Sequence, residues 1–390
     1  MATPTATIMA GVPTKNLSLY HRIRFLVGDP CAMIELPGTG GKVESLLIIR
    51  DIEMDRAKKN ARADRVTCPA DWKPASGLSG DRETATAQAC AECLRRSGIK
   101  AVRADRTLPL IFSHHLAGVG VAIEFDPELG VKARRSKDAI EIAHLRQAQR
   151  DTETVMRLAC ETVARASAGA GGVLQHEGQP LTSERLRINI DLALLKLGYD
   201  NPTSIVAGGA DGGDCHDHGH GPLRTGEPVI VDIFPRSKST LYNGDCTRTV
   251  VHGSPTAELL RMHSAVVEAK KAAIAATRAG VTGEDVHNAT LAVIQRHGFT
   301  RSLPTAGSPP TFSSLQHGTG HGIGLDGHEP PLLDTGVTGP DGTLVPGDAL
   351  TIEPGLYSRA FGGVRLEDMV IVTDTGCENL NALHEGLDWH

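Results

Sequence analysis

The feature that most constrains the fold is a carboxylate inside an otherwise continuous apolar run. Residues 229–234 read VIVDIF, and Asp232 alone interrupts the run. Such a run is typical of a buried strand, where a lone carboxylate is costly unless it is paired or binds a metal. The next predicted strand, residues 241–251, carries Asp245. A hairpin would place both carboxylates on neighbouring strands facing one cavity. The alternative is a pair of turn aspartates that cap the hairpin.

Length and charge limit the classes of function. At 390 residues, a prior of about 150 residues per domain predicts two to three domains. The formal net charge of −6 provides no overall attraction to nucleic acid. Aromatic residues make up only 3% of the chain, which disfavours a base-stacking surface. We therefore expect no nucleic-acid partner.

Two further features concern the cellular compartment. No apolar stretch approaches the ~20 residues that cross a bilayer, and the N-terminus lacks a basic segment followed by a sustained apolar one. We therefore expect neither a membrane partner nor a signal peptide. Eight cysteines in 390 residues are ordinary usage rather than a disulfide framework. The sequence thus predicts free thiols and a cytoplasmic location.

The chain divides by pattern into a flexible arm (residues 1–15), a first domain (residues 16–135) and a second domain (residues 136–390). In the first domain, short apolar strands alternate with helical stretches, which favours an α/β layer. The second domain opens on a long helical pattern from Asp138. Two helical patterns precede three strands there, and this order recurs without a repeat of fixed period. We expect a pseudo-symmetric α+β domain with a cavity between its halves.

Three histidines occur in a glycine-rich run, HGTGHGIGLDGHEPP, at residues 317–331. They are His317, His321 and His328, and almost nothing bulky separates them. The glycines leave room for a substrate near the imidazoles, because glycine lets backbone approach closely. The run lacks the Gly-Lys-Ser/Thr ending of a phosphate loop. The histidines are therefore candidates for metal binding or catalysis.

Two glutamates complete a set of four carboxylates on predicted buried strands. Glu353 follows an apolar strand and precedes a Pro-Gly turn, and Glu367 heads the strand MVIV. Arg365 lies two residues earlier, on the same strand face. Four close carboxylates repel one another, and divalent cations resolve that repulsion. The set favours Mn²⁺, with Zn²⁺, Co²⁺ or Fe²⁺ possible, and it is more than one ion needs, which indicates a two-metal site.

The order Asp, Asp, His, Glu, Glu resembles the pita-bread metallopeptidase family, which includes aminopeptidase P, prolidase and methionine aminopeptidase, with creatinase as a non-metal relative. The resemblance covers about residues 138–375, and residues 16–135 resemble the creatinase-type N-terminal domain more weakly. It implies a pita-bread catalytic domain with pseudo-two-fold halves, preceded by a smaller α/β domain. It also implies two divalent metal ions, a peptide substrate and a homo-oligomer, expected to be a dimer.

The resemblance also implies roles for individual residues. Asp245 and Glu367 match the ligands that bridge both metals, and Thr247 and Arg248 complete the motif D-x-T-R. The full metal set implied is Asp232, Asp245, His321, Glu353 and Glu367. The catalytic residues implied are His328 at the scissile peptide, Glu353 as a proton shuttle and His216 as an upstream substrate histidine. The residues implied for the proline-side pocket are His317, Tyr357 and Arg365.

The sequence departs from the family pattern between the two aspartates. Asp232 and Asp245 are 13 positions apart, two more than is usual in the family, and the extra length falls in the hairpin. The glycine expected after the first aspartate is replaced by Ile233, Phe234 and Pro235. The hairpin's contacts are therefore in question more than the metal site is.

The loop at residues 215–220, CHDHGH, has two interpretations. It either supplies one functional histidine, for which His216 fits best, or forms an independent zinc site. The residues available to such a site are Cys215, His216, Asp217, His218 and His220.

The function implied is that of an Xaa-Pro aminopeptidase, which removes the first residue of peptides with proline at the second position. An Xaa-Pro dipeptidase (prolidase) is the alternative within the class. A non-catalytic binding module of the same fold, or a metal-free creatinase-like hydrolase, is disfavoured because all five ligand positions are intact.

Overall fold

A computed structural model describes residues 6–38 and 41–390. The chain forms two compact units, Met1–Arg134 and Arg135–His390, beside the boundary near residue 136 that the sequence pattern suggests. Within the described residues, no helix is both long and apolar enough to span a bilayer.

The first unit is built on one mixed sheet. Its strands are β1 (Ala6–Gly11), β2 (Cys31–Pro37), β3 (Val43–Ile48), β4 (Arg65–Thr67), β5 (Ala101–Ala104) and β6 (Ala122–Phe125). Its helices are α1 (Leu17–Ile23), α2 (Met54–Asn60), α3 (Arg82–Arg96) and α4 (Leu110–Gly118). The strand order is β4-β3-β2-β1-β5-β6, with parallel pairs at both edges and antiparallel pairs between β1, β2 and β3.

The predicted flexible arm over residues 1–15 is wrong for Ala6–Gly11. These residues form β1, which is buried along its whole length between β2 and β5. The small and apolar side chains of ATIMAG suit a central strand, because both faces of the sheet are covered there. The part of the predicted arm at residues 1–5 lies outside the described residues.

The second unit contains five helices and the strands that carry the predicted site. The helices are α5 (Ala139–Ala164), α6 (Ser183–Lys196), α7 (Ala257–Ala276), α8 (Gly283–Arg296) and α9 (Gly339–Gly342). The strands are β7 (Ser167–Ala168), β8 (Leu174–His176), β9 (Gln179–Pro180), β10 (Tyr199–Asp200), β11 (Ser204–Gly208), β12 (Pro228–Ile233), β13 (Arg236–Ser237), β14 (Cys246–Val251), β15 (Thr300–Arg301), β16 (Ser314–Leu315), β17 (Gly320–Gly322), β18 (Glu329–Leu333), β19 (Ala349–Ile352), β20 (Gly355–Ser358), β21 (Gly362–Arg365), β22 (Asp368–Val372) and β23 (Cys377–Asn379).

The strands of the second unit form separate sheets that follow pairs of helices. The sheet β11-β12-β14 comes after α5 and α6, and the sheet β18-β17-β19-β22-β23 comes after α7 and α8. A third sheet has the order β15-β16-β20-β21, and smaller ones are β7-β8-β9 and β10-β13. The recurring order of elements is the one that the sequence pattern predicts.

Helix α5 begins where its sequence signal predicts. The Asp138 carboxylate accepts bonds from the backbone N–H groups of Ile140 and Glu141, and the Glu141 side chain accepts one from the Asp138 N–H. This reciprocal capping box satisfies backbone donors that a helix N-terminus otherwise leaves unpaired. The helix then packs against β12 and β14, the strands of the predicted aspartates.

The long hairpin between β12 and β14 keeps the two strands in register. Asp232 lies opposite Thr247, and Ile233 lies opposite Cys246. The additional residues leave this pair of strands and form β13, which pairs with β10. The hairpin thus takes up the extra length outside the register that positions Asp232.

Candidate metal centre

All five predicted ligands face one cavity of about 590 Å³. Asp232 lies within β12, and Asp245 immediately precedes β14. His321 is the middle residue of β17. Glu353 directly follows β19, and Glu367 lies between β21 and β22. Side chains from two sheets are therefore brought together at strand ends and at the centre of a short strand.

The innermost group consists of Asp245, His321 and Glu367. Their ligand atoms all lie within 4.8 Å of one another. His321 Nε2 is 3.9 Å from Asp245 Oδ2 and 3.5 Å from Glu353 Oε1. These separations suit atoms that share a cation, with Asp232 and Glu353 completing the lining.

The imidazole of His321 is oriented for metal binding. Its Nδ1 lies 3.0 Å from the Gly322 carbonyl oxygen, so Nδ1–H donates there and the unprotonated Nε2 faces the carboxylates. Burial, followed by the neighbouring His328, lowers the pKa of His321 to about 4. The ring is therefore neutral at pH 7, as a metal ligand must be.

Burial and mutual repulsion raise the pKa values of three of these carboxylates. Burial, and then the charges of Asp232 and Glu353, raise the pKa of Asp245. Burial and Asp245 likewise raise the pKa of Glu367, and burial above all raises that of Glu353 to about 8. Asp232 Oδ1 is buried and accepts no hydrogen bond from the described residues. A cluster that resists ionisation and includes an orphaned acceptor fits divalent cations held by these five side chains.

Three further residues support the ligands: Thr247 and Arg248, which belong to the predicted motif D-x-T-R, and Gln149, which was not predicted from the sequence. Gln149 of α5 donates to the Asp245 carbonyl at 2.6 Å and accepts from the Asp245 N–H at 3.0 Å. Thr247 donates to Glu367 Oε2 at 2.8 Å. Arg248 donates to the backbone oxygen of Glu367 at 2.6 Å and pairs with Asp368 at 2.8 Å. Gln149 has no local signal, since only the packing of α5 on β14 brings it to Asp245.

Three residues predicted for the proline-side pocket form a chain of hydrogen bonds. His317 Nε2 is 2.6 Å from the Tyr357 hydroxyl, and Arg365 donates to that hydroxyl at 2.9 Å. Arg365 also donates to Asp232 Oδ2 at 2.7 Å. Burial and the Arg365 charge lower the pKa of His317 to about 3, so Nε2 of the neutral His317 accepts a hydrogen bond from the Tyr357 hydroxyl.

Tyr357 differs from its expected position. His317 and Arg365 line the cavity, whereas Tyr357 is fully buried behind them and packs with Ile205 and Ile230. Its hydroxyl is hydrogen-bonded to both His317 and Arg365 and orients these two neighbours.

The histidine-rich loop does not gather its side chains at one point. His216 and His218 both line the cavity, while His220 lies on the surface, 2.9 Å from Asp211. The ligand atoms there fall into two largely exposed groups, Asp214–Cys215–His216 and Asp211–Asp217–His220. The single zinc site that would have used residues 215–220 together is therefore not formed.

His328 lies beside the innermost group. It lines the cavity, and its ring centroid is 4.1 Å from that of His321. Asn243 is among the further lining residues to which the sequence analysis gave no role. Asn243 donates to the carbonyl oxygens of Gly324 and Leu325, both at 2.9 Å, which ties the long hairpin to the glycine-rich run.

A buried cluster of one imidazole and four carboxylates that lines a cavity is typical of a metal-dependent enzyme. Comparison with known proteins identifies the family. The sequence model of metallopeptidase family M24 matches residues 143–374, and the chain belongs to this family. The family's metal dependence is that of divalent ions, which agrees with the donor set.

The proteins similar in sequence include a dipeptidase and an aminopeptidase. The chain is similar to the probable dipeptidase PepE of Mycobacterium tuberculosis, with 36% identity over 51% of this chain and 50% of that protein. It is also similar to Xaa-Pro aminopeptidase 1 of Streptomyces coelicolor, with 32% identity over 67% of this chain and 55% of that protein. The alignments thus span about half the length of these relatives.

Solved structures share the fold over nearly the whole chain. The X-Pro aminopeptidase of Thermotoga maritima superposes with a TM-score of 0.76 at 22% identity, covering 98% of this chain and 96% of that one. The dipeptidase PepE of Mycobacterium ulcerans gives 0.71 at 25% identity, covering 98% and 92%. The pita-bread fold with a preceding α/β domain, expected from the sequence, is confirmed.

Proposed function

We propose that this protein is an Xaa-Pro aminopeptidase that removes the first residue of peptides with proline at the second position. The observation that carries the proposal is the cavity in which the five-residue donor set meets His216 and His328. The similarity to an Xaa-Pro aminopeptidase of Streptomyces coelicolor supports it.

The proposal includes two divalent ions, with Mn²⁺ as the resident metal. Four carboxylates and one imidazole exceed what a single ion needs, and a donor set rich in oxygen favours Mn²⁺. When bound, such ions supply charge stabilisation at a scissile carbonyl and lower the pKa of water. Asp245 and Glu367 would be the residues that hold both ions, and the closeness of their ligand atoms to each other and to His321 supports that role.

The chain's own residues would hold and move protons around the substrate. His328 would donate to the oxygen of the scissile carbonyl as negative charge develops there. Glu353, which lines the cavity, would accept a proton from water and pass it to the leaving nitrogen. Arg365 would hold Asp232 in place through its 2.7 Å ion pair, and His216 would contact the peptide from the loop.

The charge of the cavity favours an aminopeptidase over a dipeptidase. A dipeptidase has to bind the free carboxylate of its substrate, which calls for a cation. Arg365 is the one arginine or lysine among the described lining residues, and its guanidinium already bonds to Asp232, Tyr357 and the Cys215 carbonyl. A longer peptide, whose carboxylate lies beyond the cavity, makes no such demand.

We further propose a cytoplasmic location and a homodimer. All eight cysteines are free thiols, which supports a reducing compartment. The dimer follows from the resemblance alone, and light scattering of the purified protein tests it.

The function is tested by product analysis on Mn²⁺-loaded protein with Ala-Pro-Ala, Ala-Pro and Ala-Ala-Ala. The proposal expects release of the first residue from Ala-Pro-Ala, with Ala-Ala-Ala cleaved far more slowly. Turnover of Ala-Pro alone would assign a prolidase instead. Absence of turnover with all three peptides at full metal occupancy would contradict the proposal.

A further inference from the structure

The loop that follows β11 gathers three different donor groups at the edge of the cavity. Asp214, Cys215 and His216 each offer one ligand atom, and these atoms all lie within 4.8 Å of one another. Cys215 and His216 line the cavity. This set includes Asp214 and leaves out His218 and His220, so it differs from the zinc site that residues 215–220 would have formed together.

The separation of the thiol and the imidazole suits a tetrahedral ion. Cys215 Sγ lies 3.7 Å from His216 Nδ1. In a tetrahedral zinc site, Zn–S bonds of about 2.3 Å and Zn–N bonds of about 2.0–2.1 Å place the sulfur and the nitrogen about 3.5 Å apart. Asp214 Oδ1 accepts a bond from the His216 N–H at 2.9 Å, which orients the carboxylate and leaves further lone pairs for an ion. Water would complete the fourth position.

The backbone that carries these donors is held against neighbouring strands. The Cys215 carbonyl oxygen accepts a bond from Arg365 of β21 at 3.2 Å. The Gly213 backbone lies so close to β20 that a Cβ there would be 2.7 Å from the Ser358 carbonyl oxygen. Less ordering is therefore needed when the donors bind an ion, which lowers the cost of binding.

The donor chemistry sets this group apart from the five-residue centre. Thiolate and imidazole are ligands of Zn²⁺, whereas Mn²⁺ prefers oxygen. The centre has four carboxylates and one imidazole, and Cys215 is the one cysteine among the described lining residues of the cavity. We propose that Asp214, Cys215 and His216 form a separate site, which we call the rim site, that binds Zn²⁺ in preference to Mn²⁺ and thereby inhibits the enzyme.

Inhibition follows from the position of His216. A zinc ion at the rim site occupies the imidazole that contacts the peptide in the proposed function, so the inhibition rests on that function. The Cys215 thiol releases its proton to solvent as the Zn–S bond forms, because the thiolate is the ligand. The five-residue centre keeps its own ions throughout.

Binding is tested on Mn²⁺-loaded protein with Zn²⁺ and, separately, with Co²⁺ as a spectroscopic probe. Competition with a chromophoric chelator should show one additional Zn²⁺ per chain with Mn²⁺ retained. Co²⁺ should give a thiolate-to-metal charge-transfer absorption, which the oxygen and nitrogen donors of the centre cannot produce. Cys215→Ser should abolish this absorption and weaken Zn²⁺ binding by at least about tenfold, since even groups that merely support a ligand cost 10–100-fold. Asp214→Ala should also weaken it.

Inhibition is measured as hydrolysis of Ala-Pro-Ala by Mn²⁺-loaded protein at increasing Zn²⁺. Cys215→Ser should keep native turnover without Zn²⁺ and need at least about tenfold more Zn²⁺ for half-inhibition. Cys377→Ser is the matched control, because it removes another half-buried free thiol that does not line the cavity. His220→Ala removes an imidazole from the neighbouring exposed group. Both controls should respond to Zn²⁺ as the native protein does.

The outcomes separate the rim site from the proposed function. Undiminished inhibition of Cys215→Ser would place the inhibitory Zn²⁺ elsewhere and overturn the proposal, as would native protein without the additional Zn²⁺ or without the cobalt absorption. Zn²⁺ bound at the rim site with native turnover would contradict the inhibition. If no peptide is hydrolysed, the proposed function and the inhibition fail together, while the zinc stoichiometry and the cobalt spectrum still decide whether the rim site exists.

Discussion

At the scale of single residues, the site consists of carboxylates whose ionisation is opposed by burial and mutual repulsion and would be favoured by a bound cation. Burial raises the pKa of both Asp245 and Glu367, and each is further raised by the charge of neighbouring carboxylates. Thr247 donates a hydrogen bond to Glu367, and Gln149 both donates to and accepts from the Asp245 backbone, which holds the two carboxylate residues in place. Metal affinity should therefore respond sharply to the loss of either charge.

Glu367→Gln keeps the shape of the side chain and removes its charge. We expect metal affinity to fall by at least ~100-fold, since even residues that merely support a ligand cost 10–100-fold, and activity should fall with it. Glu378→Gln is the control, because Glu378 is an exposed glutamate on β23, the edge strand that pairs with β22. Native metal content and turnover in Glu367→Gln would rule out its role as a ligand.

We expect His321 to be a metal ligand and His328 to be a catalytic residue. His321→Ala should lower metal affinity. His328→Ala should keep its metal and lose kcat/KM by ~10²–10³-fold, the scale for removing one donor to an oxyanion. Metal analysis and peptide hydrolysis are measured on both variants and on His220→Ala, an exposed histidine that should change neither. If His328→Ala loses metal while His321→Ala retains it, the two roles are reversed.

At the scale of elements, the glycine-rich run matters because strands approach too closely for a side chain. A Cβ on Gly320 would lie 1.9 Å from the Thr351 carbonyl oxygen of β19. Glycine thus allows β17 to sit against β19 and carry His321 to the carboxylates. The sequence indicated close approach in this region, and the structure identifies the partner strand.

Gly320→Ala should therefore destabilise the protein by at least about 3 kcal/mol, the upper range for overpacking, since the obstacle is backbone. Gly327→Ala is the control in the same run, because a Cβ there meets nothing within 4 Å. Urea denaturation of both variants measures the difference. Equal stability would show that β17 does not require glycine at residue 320.

Much of the second unit was predictable from the sequence, for identifiable reasons. Asp232 in an apolar run and Glu367 before MVIV are local signals, because burial of a carboxylate contradicts its neighbours. Gln149 and the buried position of Tyr357 were not predictable, since both depend on contacts between distant segments. The flexible arm was mispredicted over Ala6–Gly11 because ATIMAG is short and lies between the proline-containing segments MATPT and VPTKN, and only its pairing with β2 and β5 reveals it as a central strand.

At the scale of the whole molecule, the buried carboxylates link metal binding to stability and pH. Between pH 7.5 and 9, His317 and His321, whose folded pKa values are about 3 and 4, are neutral in the folded state and almost entirely so in the unfolded state, where a histidine has a pKa of about 6.5. Glu353 has a folded pKa of about 8, so the folded state binds more protons than the unfolded state across this window. Stability must then fall as pH rises.

Metal-free protein should accordingly lose about 1 kcal/mol from Glu353 between pH 7.5 and 9, at 1.36 kcal/mol per pKa unit, with Asp245 and Glu367 acting in the same direction. Metal-loaded protein, whose carboxylates are already ionised, should show no such loss. Thermal denaturation with and without Mn²⁺ at several pH values checks this. A Tm of the metal-free protein that rises across the window would contradict the assignment.

The most direct test of the central claim is an anomalous scattering map from crystals soaked in Mn²⁺. The account predicts two strong peaks roughly 3.5–4 Å apart, both in contact with Asp245 and Glu367, with His321, Asp232 and Glu353 completing their ligands. A single peak, or peaks only at the exposed groups around His216 or His220, would contradict a two-metal centre built from these five residues.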